Sequence, residues 1–548
     1  MGEPKQVTLV LSGGRNPAGN NYSQYLQTRR VSDFLKNRKG VEASTLFGSG
    51  LNETSSPSAA PDVIKRDTFE GDPTFIPGII RENQPATREK VEQFFGEKLA
   101  SRRWQNGDRF FLFVSDHGNR NVYNPMDIQV EEKKMVPAYR DNIIALWDPE
   151  QTLYPEKGTL SVSDLKGLLK KSIPDNVPMA FVMTQCFSGG FHMLGYSLDE
   201  KGIPKKEGNI CGFTAITQDT IAAGCTSFVS EHRYDGYERR IVEAITGVSV
   251  MDGRRLGSPT TDISQAHTIA MLNDNTKDVP LRTSEAYVLQ YLEAERQKRK
   301  AAEKENSKTE GPALDEELEK IWDLIEGGSI DPKLVDQRGL DLIRDLAKKL
   351  EEWHPEHLYG ITDASLKKIS EERKAIQILQ SAVEKEKNKL GKKFDKKFEP
   401  ILAAYLLALK EAKNPEAKQT QDWERLINLE ANRLIYSRLF QEDPTLQKYT
   451  KYLTYEENRN DIILNWAEEK KSGINEKDVE TLRGLRHQIR TLKREANRLE
   501  TLEGQLRRIE TQMQVAAGMV WLTRENRQEA LRDIASFVAC ENAVKIPD

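Results

Sequence analysis

The sequence predicts an α/β domain, with a mostly parallel central sheet flanked by helices, followed by an all-α region. Three observations predict it. Apolar runs at residues 7–12, 110–115 and 179–184 are continuous rather than alternating, as strands buried on both faces of a parallel sheet require. Segments with helical spacing separate these runs, the alternation that covers such a sheet with helices on both sides. Beyond about residue 292 the strand-like runs stop, and apolar residues recur every three or four positions.

Taken in order, strands are expected at 7–12, 43–47, 110–115, 143–147, 179–184 and 212–216, with helices at 23–39, 87–101 and 163–171. Ser161 with Asp164 three residues on is a start signal for the last of these, the acid also complementing the helix dipole. Residues 52–78, rich in Ser, Pro, Gly and Asp, read as a long surface loop beside the strand ends. Residues 293–310 are almost wholly Lys, Arg, Glu, Ala and Asn before Gly311-Pro312, which suits either a charged linker or a solvated helix extension. The expected division is thus a domain over 1–294, a charged linker over 295–330 and an all-α domain over 331–548. Helical patterns fall at 334–350, 366–390, 399–412, 423–439 and 461–471. A stripe through Leu482, Leu485, Ile489, Leu492, Ala496, Leu499, Leu502, Leu506 and Ile509 suits a long helical hairpin or coiled coil, packed within the chain or self-associating.

At 548 residues the chain exceeds one ordinary core, so two or three domains are expected. A net charge of −4 gives no basic field for nucleic acid, and no apolar run reaches the length of a membrane span. The start, Met1 to Lys5, runs into a strand without an apolar signal region. Four cysteines, Cys186, Cys211, Cys225 and Cys540, are too few and scattered to suggest a disulfide framework or a metal cluster. A reducing, cytoplasmic setting is therefore expected, with Cys540 a buried small residue and no metal or cofactor.

Two apolar runs end on reactive side chains. Val114-Ser115-Asp116-His117-Gly118 closes one, and Thr184-Gln185-Cys186-Phe187-Ser188-Gly189-Gly190 closes the other. The carboxyl ends of such strands open on the crevice where α/β sheets bind ligands. A histidine with a cysteine is the pair that thiol nucleophilic catalysis needs. A lone buried cysteine is more often a small hydrophobe, and a lone histidine more often a structural hydrogen-bonding residue. Their occurrence together at equivalent places, with glycine close behind each, favours the catalytic reading.

These blocks resemble those of the caspase–haemoglobinase cysteine peptidases, most closely the legumain family, in the family's order of histidine before cysteine. Residues 6–14 with Asn21-Tyr22 resemble the first strand and the loop after it. Pro77-Gly78-Ile79-Ile80, Thr87 and the run to about Leu99 resemble the loop and helix before the histidine strand. Residues 213–225 resemble the strand and loop that wall the specificity pocket, 284–291 the end of the catalytic domain, and 531–541 part of legumain's helical prodomain. The likeness covers about residues 5–295. It implies a caspase-like fold and an endopeptidase acting on protein or peptide substrates. In such an enzyme Cys186 attacks the scissile carbonyl, His117 protonates the leaving amine, and the backbone N–H groups of Gly118 and Cys186 receive the oxyanion. Asp116 and Ser115 would orient the loop, or serve simply as strand-end turn residues.

The chain departs from the family pattern in places. His117 and Cys186 stand 186 − 117 = 69 positions apart, an interval lengthened by an insertion over about 120–142 that carries Lys133-Lys134. Thr184 stands where legumains are acidic, and the pocket arginine is replaced near Ser23, with Arg15 close by. The expected pocket is Arg15, Ser23, Thr184 and the 217–222 segment with Thr217 and Asp219, above Asp235 as a floor acid. An inward Asp235 without a countercharge would favour Arg or Lys at P1. Neutralised by Arg15 or Arg233, it would favour Asn; on a surface helix it would do neither.

The helical half is expected to restrain the peptidase as a zymogen, or to bind an activating protease or partner. Arg296, Lys298, Arg299 and Lys300, with Lys133-Lys134, are the candidate processing sites. By analogy the arrangement suits bacterial relatives of caspases in defence or signalling cascades. A non-catalytic scaffold assembled through the coiled coil, and a legumain-type transpeptidase, are the alternatives.

Overall fold

The computed structural model describes residues 5–66, 73–119, 141–149, 158–227, 229, 234–304, 313–331, 334, 337–353 and 504–547. Two compact units divide the chain: Met1–Leu379 with Glu503–Asp548, and Gln380–Leu502. The boundaries expected at 294 and 331 fall inside the first unit, and the chain returns to that unit at its end. The helical patterns between 366 and 471, and the stripe up to residue 503, lie outside the described residues, as does nearly all of the insertion over 120–142.

In chain order the strands are β1 (Gln6–Ser12), β2 (Val41–Phe47), β3 (Val63–Lys65), β4 (Thr74–Ile76), β5 (Asn83–Gln84), β6 (Arg109–Val114) and β7 (Gly118–Asn119). They continue with β8 (Ile143–Ala145), β9 (Thr159–Ser161), β10 (Met179–Met183), β11 (Tyr196–Leu198), β12 (Pro204–Lys206), β13 (Ile210–Thr214) and β14 (Leu281–Arg282). The main sheet runs β14-β13-β10-β6-β1-β2-β5, parallel throughout except where β14 pairs antiparallel with β13 at the edge. Every residue of β1 and β10 is buried, as the continuous apolar runs require. Each Val, Leu or Phe so buried contributes roughly 1.5–3 kcal/mol. The strand order reverses direction between β1 and β6, so the crevice of this sheet opens at their carboxyl ends.

The first expected helix is present as Tyr22–Lys36, and the third as Val162–Ser172, with Ser161 and Asp164 forming the reciprocal cap. The second is Arg88–Gln93, continued by a π-helical turn over Phe94–Leu99. Residues 143–147 were expected as a further strand; β8 instead joins a small separate sheet with β7 and β9, at the mouth of the crevice. The long loop over 52–78 carries the short hairpin of β3 and β4.

The charged linker expected over 295–330 is corrected. One helix runs unbroken over Thr283–Lys304, and another spans Leu314–Glu326. Ion pairs explain the order: Arg296 pairs with Glu293 and Asp315, and Arg299 with Glu295 and Glu317. Lys298 pairs with Glu295 on the same helix, which also carries Lys300. The four processing candidates therefore lie on helical backbone, which proteases open poorly.

Cysteine pairing is corrected too. Cys211 of β13 and Cys540, in the helix Gln528–Ala543, form a disulfide across 329 residues of sequence. Cys186 and Cys225 are free. Scarcity hid the bond, because a two-cysteine staple leaves no spacing pattern. Its presence also removes the argument for a reducing compartment, since structural disulfides persist where conditions oxidise thiols. Among the described residues no helix is long and apolar enough to cross a membrane.

Candidate functional site

β6 and β10 are adjacent and parallel, with Val114 in register with Met183. Three residues past each of these paired positions stand His117 and Cys186. The two side chains thus leave neighbouring strands at the same level, on the rim of the crevice beside β1. Their loops touch: Gly118 packs so closely on the Cys186 carbonyl that a Cβ there would sit 1.9 Å from the oxygen. Only glycine fits that approach.

The histidine loop is held by β1. Both carboxylate oxygens of the buried Asp116 accept N–H groups from the turn after that strand, one from Gly13 and one from Gly14 at 2.9 Å. The amide of His117 donates to the same carboxylate at 2.6 Å. Ser115 donates to Gln27 at 2.5 Å, tying the strand end to the helix Tyr22–Lys36. Asp116 and Ser115 therefore orient the loop, as expected. Burial pushes the Asp116 carboxyl up to about 7, against the opposing pull of its three backbone donors.

His117 is half-buried, its Nε2 lying 2.7 Å from the Gly19 carbonyl and 3.1 Å from Asn21 Nδ2. The carbonyl can only accept and the Asn21 amide nitrogen can only donate, so the two contacts ask for opposite states of Nε2, and the shorter one favours a proton there with Nδ1 basic. Burial lowers the imidazole to about 4, opposed by the Gly19 bond, so the ring is neutral at pH 7.

Cys186 is 7% exposed and donates through Sγ to the Ala222 carbonyl at 3.7 Å. The turn after it is tight: Phe187 takes a left-handed conformation with φ of 59°, its amide donating to the Thr220 carbonyl at 2.9 Å. A short 3-10 helix over Ser188–Leu194 follows. Cys225, which the sequence did not single out, stands beside Cys186. Its single S–H can donate either to the Asp116 carbonyl, 3.5 Å away, or to the Cys186 sulfur, and it accepts from Gln24 Nε2 at 3.7 Å. A hydrogen bond from Cys225 lowers the Cys186 thiol pKa, against the burial that raises it, and the charge of Lys277 acts in the same lowering direction. Cys225 itself is pushed up by the same pairing and by burial. Of the two thiols, Cys186 ionises first and Cys225 remains the donor.

The expected pocket residues divide. Thr217 and Asp219 lie on the loop that walls the cysteine turn, with Thr217 Oγ1 2.7 Å from Asp219 Oδ1 and from Thr220 Oγ1. Arg15, in a left-handed conformation after β1, holds Asp148 by a backbone bond of 2.6 Å. Ser23 and Thr184 are buried and occupied elsewhere: Ser23 exchanges two 3.1 Å bonds with Thr226, and Thr184 Oγ1 donates to the Val114 carbonyl at 3.2 Å. Asp235 pairs with Arg239 and Arg240, and Asn275 Nδ2 lies 2.7 Å from its carboxylate. Of the readings open for Asp235, the one without a countercharge is thereby excluded, and the partners are Arg239 and Arg240 rather than Arg15. The acid that lies behind the thiols is Glu238, buried under Gly224 and raised to about 8 by desolvation. Arg233 lies outside the described residues.

Sequence reasoning also missed Asn142, whose Nδ2 donates to the Phe187 carbonyl at 2.8 Å and to the Gln218 carbonyl at 2.9 Å. It clamps the cysteine turn to the segment carrying Thr217 and Gln218. Its position at the very end of the insertion over 120–142 gave no sign of that contact. Among the described residues no group of His, Cys, Asp and Glu could hold a metal ion. The two parallel strand ends carry a neutral imidazole and an ionisable sulfur in loops that touch at Gly118 and Cys186. Comparison with known proteins finds no matching family model and no matching curated protein.

Proposed function

We propose that the chain is a cysteine endopeptidase in which Cys186 is the nucleophile and His117 the proton carrier. The observation that supports the reading most is the register of β6 and β10, with His117 and Cys186 each three residues past a paired strand position. It agrees with the resemblance to caspase–haemoglobinase peptidases, and in particular to the legumain family, in the two strand-end blocks.

In this reading the polarised Cys186 sulfur attacks the scissile carbonyl, and its proton passes to the basic nitrogen of the neutral His117 ring. The imidazolium so formed gives that proton to the leaving amine, and water then releases the acyl group. The oxyanion is met by N–H groups of Gly118 and Cys186, the glycine allowing the substrate carbonyl to come close. Asp116 fixes the histidine loop through backbone bonds and leaves the ring itself uncharged. Control by the helical half belongs to the same proposal, with cleavage inside the helix Thr283–Lys304 set aside because its basic residues are ion-paired on helical backbone.

The test is labelling with an electrophilic peptide, with Cys225 as the internal control thiol. Label confined to Cys186, with peptide hydrolysis abolished in Cys186→Ala, is the expected result. Hydrolysis that survives Cys186→Ala defeats the reading.

A further inference from the structure

The most buried cation among the described residues is far from the dyad in sequence and close to it in space. Arg508, on the helix over 504–524, has a fully buried side chain. Its Nε donates to the Asp278 carbonyl at 2.7 Å, and its Nη1 to the carbonyls of Asp274 at 2.8 Å and Met271 at 3.4 Å. Its Nη2 donates to the Thr276 carbonyl and lies 3.4 Å from the Asp274 carboxylate. One guanidinium therefore gathers three carbonyls of one turn and a fourth from the end of the helix Ile263–Leu272, a fork that lysine cannot copy. The helix is seated hard on that turn: a Cβ on Gly504 would fall 2.3 Å from the Lys277 Cα.

The gathered turn reaches the sulfur by two short steps. Asp278 Oδ1 accepts the Ala223 amide at 2.7 Å, and the preceding carbonyl, that of Ala222, accepts from Cys186 Sγ. Lys277, on the same turn, supplies the positive charge felt at Cys186. The other groups around the two thiols are Cys225 itself, Glu238 on the helix Tyr237–Thr246, and Asp116 at the end of β6, whose charge acts on Cys225.

We propose that Arg508 is a positioning residue for Cys186, and that the segment over 504–547 is a permanent part of the catalytic unit rather than a cover removed on activation. The proposal rests on the peptidase reading for its functional meaning, but its test does not. Two staples hold the segment: the Arg508 fork at one end and the Cys211–Cys540 disulfide at the other. Cutting the chain between the units would leave both intact.

The experiment measures alkylation of Cys186 by iodoacetamide against pH in the full chain, read by mass spectrometry, alongside peptide hydrolysis. In Arg508→Lys the midpoint of the alkylation profile should rise by about one unit, a roughly tenfold loss of thiolate at neutral pH. The limiting rate at high pH should be unchanged, and kcat should fall with KM within about twofold. Guanidinium ion at millimolar concentration should restore part of the rate in Arg508→Ala. Asp278→Ala leaves the fork's carbonyls in place and tests the last link even where an Arg508 variant does not fold. An alkylation profile that superimposes on wild type in folded Arg508→Lys, or in Asp278→Ala, overturns the proposal. So does a gain of hydrolysis when 504–548 is deleted. Failure of the peptidase reading shows separately, as hydrolysis that survives Cys186→Ala.

Discussion

Gly118 and Cys186 touch through backbone: the Cα of one lies against the carbonyl oxygen of the other, in a space that admits no side chain. That contact joins the two loops that carry the proposed dyad. Gly118→Ala must therefore push the histidine loop away from the cysteine turn. Overpacking of this kind costs about 1–3 kcal/mol, and a displacement of about 1 Å at a reacting centre costs on the order of 100-fold in rate. Peptide hydrolysis should drop by that order while circular dichroism stays native. Full activity in Gly118→Ala would mean that the loops move independently.

The disulfide makes a stability prediction. Cys540→Ser should lower the unfolding free energy by about 2–5 kcal/mol, the usual cost of losing a native staple, read from urea unfolding under non-reducing conditions. Thiol titration of the denatured, unreduced chain should find two free cysteines, Cys186 and Cys225. Four titratable thiols would contradict the pairing.

Much of the sheet was legible because its signal is local. The runs that became β1, β6 and β10 are buried on both faces and are apolar without alternation, and Ser161 with Asp164 marked a helix start that is there. The level placement of His117 and Cys186 follows from those strands alone. What sequence could not supply depends on partners far along the chain. The countercharge of Asp235 stays open until Arg239, Arg240 and Asn275 close on it, and Cys540 reads as solitary until its helix packs on β13. Arg508 looks like one more charge on a helical stripe; only the fold reveals four carbonyls aimed at it.

Cys225 should tune Cys186. Its hydrogen bond favours the Cys186 thiolate, so Cys225→Ala should move the Cys186 alkylation midpoint upward, and Cys225→Ser, which keeps a donor, should move it less. Wild-type protein should be alkylated at Cys186 before Cys225. Equal rates at the two sulfurs would contradict the assignment.

Buried carboxyls give the fold a pH dependence whose sign is fixed. Burial raises Glu238 to about 8, and Asp116 and Glu541 to about 7, from unfolded values near 4. The folded chain then holds protons the unfolded chain has lost, so this stabilisation is complete below about pH 4 and declines as pH rises through 7–8. His117 and His192, lowered by burial to about 4 and about 3, act oppositely but only below about pH 6.5. Between pH 6.5 and 8.5, once the Cys186 thiol is replaced, the carboxyls act with only the raised Cys225 thiol beside them, and it has the same sign. Urea midpoints of Cys186→Ser should fall over that range, and Glu238→Gln should flatten the slope. A midpoint that rises with pH would contradict the burial of these acids.

The helix Thr283–Lys304 should resist cutting. Brief trypsin digestion, followed by intact-mass analysis, should leave Arg296, Lys298, Arg299 and Lys300 uncleaved while exposed sites elsewhere are cut. First cuts at those four residues would restore them as processing sites.

Peptide hydrolysis by wild type, His117→Ala and Cys186→Ala, measured side by side on one peptide library, tests the central claim most directly. The account predicts turnover by wild type, none by Cys186→Ala, and a loss of about 100- to 10,000-fold in His117→Ala. Turnover that is indifferent to both substitutions would contradict it.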